Sequence, residues 1–141
     1  MVSYDAKKKI RRLMSDPRSR PSKREIDKKL TEAKTALSEK RLRFARPDKA
    51  VGELVDLEIN DTAEVADLIL KLLDEIEISH YAGGHPPEPS YEPNIADCEL
   101  WAFSWESKER KVKMYLKFAL KNDYFYYVSL HKSKPSKEHK V

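Results

Sequence analysis

A chain of 141 residues, 37% of them charged, has room for one domain, alone or with a small appendage, and for a modest core. Its net charge of +4 conceals segregation: residues 1–46 carry sixteen Lys/Arg against six Asp/Glu, residues 47–107 two against fifteen, and residues 108–141 ten against three. A single cysteine, Cys98, excludes a disulfide framework and a CxxC zinc pair, no apolar run approaches a membrane span, and Met1–Lys7 has no secretory apolar stretch. A cytoplasmic protein with no membrane partner is expected. Basic ends around an acidic middle suit a nucleic acid or a charged protein partner, or are merely solvated.

Taken along the chain, residues 4–15 and 22–40 read as two charged helices separated by the proline-bounded linker 16–21. Ser22 and Glu25 have the spacing of a capping box. The second helix has a thin apolar stripe of Ile26, Leu30, Ala33 and Leu37, enough to dock but not to build a core. Residues 1–40 are therefore expected to form a basic helical extension. Residues 41–45 alternate like a short strand, and Pro47 suits the first turn of a helix running to about Leu54. Asp61 and Glu64 signal another helix start. Val65, Leu68, Ile69, Leu72, Leu73 and Ile76 then recur at helical spacing, so this helix should cover a sheet. Residues 80–96 hold Gly83-Gly84 and four prolines, which predicts a long loop without regular structure.

Three strand signals follow, at about 97–105, 111–120 and 123–130, joined by short turns that make neighbours antiparallel. The expected fold is α+β: an antiparallel sheet of three or more strands, covered on one face by helices. This domain spans 41–135, and 136–141 is a basic tail. The middle strand separates Val112, Met114, Leu116, Phe118 and Leu120 from Lys111, Lys113, Tyr115, Lys117 and Ala119. The first set is core, and the second is either a solvated sheet face or a site for a polyanion. By parity Tyr127, Ser129 and His131 share a face of the last strand. Trp101, Phe103 and Trp105 alternate as core residues do, although they could also stack bases.

The order of parts resembles the MqsR toxins, the motility quorum-sensing regulator family grouped with the RelE-like endoribonucleases. The likeness rests on the Asp56-Leu57 helix end, the capped helix after it and the aromatic strand 100–105. Met114-Tyr-Leu-Lys117 and the ending Val128-Ser-Leu-His131 complete it, over roughly Arg41–Pro135. This chain departs from the family in three places. His80-Tyr-Ala-Gly-Gly-His85 replaces a polar pair, Ala102 stands where some members have glutamine, and Leu130 stands where phenylalanine is usual. Residues 1–40 have no counterpart in the family.

The resemblance implies a toxin that cleaves mRNA, free or on the ribosome, without a metal or other cofactor, and that a cognate antitoxin silences. Such chemistry needs a base for the 2′-hydroxyl, cations for the phosphorane and an acid for the leaving oxygen. His131 is the first candidate for proton transfer, with His80 or His85 as its counterpart and Tyr115 as a further proton shuttle. Lys113 and Lys117 would hold the phosphate, with Lys132 beside them, and Tyr115, Tyr81 or Tyr127 would meet bases, a stack worth about 1–3 kcal/mol. Each also has a plain reading: His131 as a strand-end residue, His80 and His85 as loop residues, the lysines as a solvated face. Two other functions compete, a non-catalytic nucleic-acid-binding module and a protein-interaction module such as an antitoxin or phage accessory protein.

Overall fold

The computed structural model describes residues 19–133. In chain order the elements are α1 (Lys23–Ser38), β1 (Leu42–Phe44), α2 (Pro47–Asp56), α3 (Thr62–Leu73), β2 (Trp101–Ser107), β3 (Val112–Lys121) and β4 (Tyr124–Lys132). Short 3-10 turns lie at Ile78–His80 and Pro93–Ile95. The expected helix 4–15 and the tail 136–141 fall outside the described residues.

Helix α1 begins where its capping box dictates. Ser22 Oγ accepts from Glu25 N at 3.1 Å, and Ser22 N donates back to the Glu25 carboxylate at 3.3 Å. Its stripe does more than dock. Ile26, Leu30, Ala33, Ala36 and Leu37 are all buried and join the same cluster as the α3 and sheet residues. Small residues at 33 and 36 let the helix lie close, so a thin stripe suffices to contribute to the core. Helix α3 starts at Asp61, whose carboxylate accepts from Ala63 N at 3.0 Å, and buries Val65, Ile69, Leu72 and Leu73.

The sheet order is β1-β4-β3-β2. Strands β2, β3 and β4 form the expected antiparallel meander, but β1 pairs parallel to β4, from Leu42↔Phe125 to Phe44↔Tyr127. The sheet is therefore mixed rather than antiparallel throughout. A parallel neighbour requires a long crossover, and the chain from α2 through β3 supplies it. The β3–β4 hairpin turns at Asn122 and Asp123, both at positive φ (52° and 67°), a conformation those two residue types tolerate best after glycine. The β2–β3 turn is held from the helix layer. The Glu75 carboxylate accepts from Trp105 Nε1 (3.0 Å), Ser107 Oγ (2.7 Å), Lys108 N (2.9 Å) and Glu109 N (2.7 Å).

All three helices pack on one face of the sheet, against Trp101, Phe103, Trp105, Met114, Leu116, Phe118, Phe125, Tyr127 and Leu130. The opposite face is half covered. Loop residue Ile95, fully buried, sits with Ala45 and Ala119, and Cys98, Leu100, Tyr126 and Val128 close around it. Residues 80–96 are thus more ordered than their prolines and glycines suggest. Ala82 N bonds Ala102 O at 2.8 Å, Leu100 N bonds Glu88 O at 2.8 Å, and Ser90 N bonds Cys98 O at 2.8 Å. Pro93 opens a 3-10 turn, a position where its missing N–H costs nothing.

Candidate nucleic-acid interface

The half of the second sheet face that the loop leaves bare is built from β2, β3 and β4. Register places Lys117 beside Ala102 and Ser129, Tyr115 beside Ser104 and His131, and Lys113 beside Glu106. These side chains point away from the helices because their neighbours in β3, Met114, Leu116 and Phe118, are fully buried on the other side. Tyr115 and His131 stack, with ring centroids 5.1 Å apart and planes 23° from parallel. Lys117 Nζ lies 5.9 Å from the Tyr115 centroid, within cation–π range. Lys113 is exposed on the same row.

A pocket of about 250 Å³ opens beside this row. Ala82, Gly83 and Gly84 wall it on one side, Tyr115 and Lys117 on the other, with Glu88 at its margin. Burial, with a contribution from the Glu88 charge, pushes the Tyr115 phenol above its ordinary range, so the group is protonated at neutral pH. The wall is stiff. Tyr81 Oη donates to Gly84 O at 2.6 Å, and a Cβ on Gly83 would lie 2.6 Å from that same hydroxyl oxygen. Glu88 does not stand out in the sequence. Its only signal is a lone carboxylate between Pro87 and Pro89, in a loop long enough to carry function.

On its other side His131 borders a cavity of about 380 Å³ lined by Glu53, Asp56, Leu57 and Lys132. Glu53 is a second residue that no motif marks. Its carboxylate accepts from Tyr127 Oη (2.7 Å), Ser129 Oγ (2.6 Å) and Leu130 N (3.0 Å). It does for the end of β4 what a neighbouring strand would do, because β1 stops pairing at Tyr127. A carboxylate three residues after Ala50, on the side of α2 that faces the core, is the signal the sequence offers.

The other residues that the sequence nominates are dispersed. The pairing of β3 with β4 slips between Lys117 and Phe118, leaving Val128 as an extra residue. This bulge breaks the parity expected for β4. Tyr127 turns into the core, fully buried against Phe44 and hydrogen-bonded to Glu53, so it offers no ring to a base. Burial, then the Glu53 hydrogen bond and charge, raise its phenol far above the ordinary tyrosine range. Tyr81 packs edge-on against Phe103 (5.8 Å) and near Trp101 (6.1 Å), both core residues, and His85 sits on Tyr81 at 5.5 Å. Tyr81 and His85 therefore belong to the helix side, across the sheet from Tyr115. Burial pushes the Tyr81 phenol up to about 12. His85 Nδ1 lies 3.1 Å from Arg20 O, and Arg20 itself ion-pairs with Glu25 and Glu99. His80 closes the turn after α3, where its Nδ1 accepts from Glu77 N at 2.9 Å. Neither His80 nor His85 is brought to His131. Trp101, Phe103 and Trp105 are core, not a platform.

Among the described residues no three His, Cys, Asp or Glu side chains cluster as metal ligands would, and no helix is long and apolar enough to cross a membrane. Comparison with protein-family models, with curated proteins and with solved structures finds no match to this chain.

Proposed function

We propose that the bare half of the sheet binds single-stranded RNA and cleaves it by attack of a 2′-hydroxyl on the adjacent phosphate, without a metal. The observation that carries this is the stacked Tyr115–His131 pair flanked by Lys117 and Lys113 on one rigid, uncovered strand face. Lysines fixed on a sheet give the phosphate backbone a defined seat and lose little freedom on binding. His131 takes the 2′-hydroxyl proton as the 2′ oxygen bonds to phosphorus. The P–O5′ bond breaks, and the leaving oxygen receives a proton from Tyr115, whose phenol is held in its protonated form. Lys113 and Lys117 stabilise the charge on the non-bridging oxygens. The products are a 2′,3′-cyclic phosphate and a 5′-hydroxyl. The order of segments behind the likeness to the MqsR toxins supports the further proposal that the RNA is mRNA and that a cognate antitoxin neutralises the activity.

The test is purified protein with end-labelled RNA in EDTA, scored for cyclic-phosphate ends, alongside His131→Ala, Tyr115→Phe and Lys117→Ala. Cleavage should disappear in His131→Ala while salt-sensitive binding persists, and induced expression should arrest growth only with His131 intact. A second reading, RNA binding without cleavage, is favoured by the finding that only one of the three candidate imidazoles lies on this face. Binding by the wild type with no cleavage would select that reading. Absence of any salt-dependent RNA affinity would reject both.

A further inference from the structure

The end of β4 holds a polar backbone group that the cleavage reading does not use. Strand β1 stops pairing at Tyr127, so the outward side of β4 beyond it has no strand neighbour. Glu53 meets the Leu130 amide there, at 3.0 Å. At the end of the strand Ser133 N donates inward, to Lys113 O at 2.8 Å. The N–H and C=O of one trans peptide point in opposite directions, so the Lys132 carbonyl is turned outward, away from β3. An outward carbonyl at a strand end needs a donor from somewhere other than the sheet.

The His131 ring supplies it. Its Nδ1 lies 2.8 Å from Lys132 O. A carbonyl oxygen only accepts, so Nδ1 is the nitrogen that bears the proton. In a neutral imidazole the other nitrogen, Nε2, then holds a bare lone pair. The ring is held a second time by its stack on Tyr115, with centroids 5.1 Å apart and planes 23° from parallel. With one face against Tyr115 and Nδ1 turned to its own backbone, the ring leaves Nε2 free of both contacts. Register pairs His131 with Tyr115, which makes Lys113 and Lys117 its diagonal neighbours across the strands.

We propose that the Lys132 carbonyl is the positioning group of this site: it fixes His131 in the Nδ1–H tautomer and so makes Nε2 the atom that takes the 2′-hydroxyl proton. The inference rests on the cleavage reading of the same face. As the 2′ oxygen bonds to phosphorus, its proton moves to Nε2. The imidazolium keeps its Nδ1–H on the Lys132 carbonyl, where a charged donor bonds more strongly than a neutral one. The bond therefore gains strength as the proton moves, which is what an interaction must do to speed the step. Once O5′ has left with the Tyr115 proton, the Nε2 proton passes through water to the Tyr115 phenolate and restores both groups. A single ladder bond, Ser133 N to Lys113 O, holds the peptide whose carbonyl orients the ring.

The test is made on the full chain in two parts. The first is imidazole-nitrogen NMR of the wild type with isotope-labelled histidine, at a pH where His131 is neutral, with His131→Ala to assign its signals. A neutral histidine free in water carries its proton mainly on Nε2, whereas His131 should show a protonated Nδ1 and a bare Nε2. The second part compares Ser133→Pro, which removes the N–H that holds the peptide, with Ser133→Ala, which keeps it. Ser133→Pro should return His131 toward the Nε2–H form and lower kcat by about three- to tenfold, the worth of one hydrogen bond, with RNA affinity unchanged. Ser133→Ala should match the wild type in both respects. In a protein that cleaves RNA, a wild-type His131 with its proton on Nε2, or a tautomer and kcat unmoved by Ser133→Pro, would overturn this inference alone. The expected tautomer in a protein that cuts no RNA would overturn the cleavage reading, and the role given to Nε2 with it. The wild-type spectrum decides the tautomer even if Ser133→Pro fails to fold, which circular dichroism checks.

Discussion

Glu53→Ala tests whether a helix carboxylate, rather than a strand, finishes the edge of β4. Three donors converge on this group, from Tyr127, Ser129 and the Leu130 amide, at 2.6–3.0 Å. Hydrogen bonds to a charged group are worth about 1.5–3 kcal/mol each, but the cavity beside Glu53 lets water replace part of what is lost. Tyr127 also retains a long contact, 3.4 Å, to Leu130 O. A total loss of about 3 kcal/mol follows, corresponding to a fall in melting temperature on the order of 10–15 °C for a domain of this size. The assay is urea and thermal unfolding of the wild type, Glu53→Ala, Tyr127→Phe and the double variant. Because the two groups share one hydrogen bond, the cycle should show a coupling of about 1 kcal/mol or more. Additive effects, or a loss below about 1 kcal/mol for Glu53→Ala, would refute the argument that this carboxylate organises the strand end on which His131 sits.

Three further outcomes are expected. Burial opposes ionisation of Glu75, yet the hydrogen bonds from Trp105, Ser107 and the Glu109 and Lys108 amides outweigh it and hold its carboxyl below the ordinary range. A depressed folded-state value gives stability that is present above the unfolded pKa, about 4.3, and is lost as pH falls through the folded one, so Glu75→Gln should flatten the acid limb of a stability–pH curve. Gly83→Ala places a Cβ 2.6 Å from Tyr81 Oη and 2.8 Å from Tyr81 Cζ. Moving that ring off Phe103 and Trp101 should cost about 1–3 kcal/mol in a chemical denaturation curve, and an unchanged midpoint would show that the ring swings aside freely. Tyr115→Ala removes the partner of His131 and should weaken single-stranded RNA binding by about 1–3 kcal/mol in an anisotropy titration, whereas Tyr115→Phe should keep most of the affinity.

Local chemistry made much of this fold legible in the sequence. The reciprocal spacing of Ser22 and Glu25 sets the start of α1, and Asp61 sets that of α3. Asn122-Asp123 forces a tight hairpin, and period-two alternation in β3 divides Lys113, Tyr115 and Lys117 from Met114, Leu116 and Phe118. Each of these depends on residues within a few positions of one another, which is why pattern alone carries them. Three other features depend on partners far away in the chain. The place and direction of β1 depend on its pairing with the outer edge of β4, some eighty residues away, with a parallel register from Leu42↔Phe125 to Phe44↔Tyr127. The bulge at Val128 follows from packing Tyr127 under Phe44 while Glu53 claims Ser129 and the Leu130 amide, and it turns Tyr127 away from the face that His131 shares with Tyr115. The separation of His85 from His131 follows from Tyr81, which inserts among Trp101 and Phe103 and holds His85 beside it on the helix side of the sheet, while His80 is tied into the turn after α3. Spacing along the chain determined which groups are available to this protein. Long-range packing decided which of them meet, because a one-residue slip in a strand, or one aromatic ring finding the core, moves a side chain from one face of the sheet to the other.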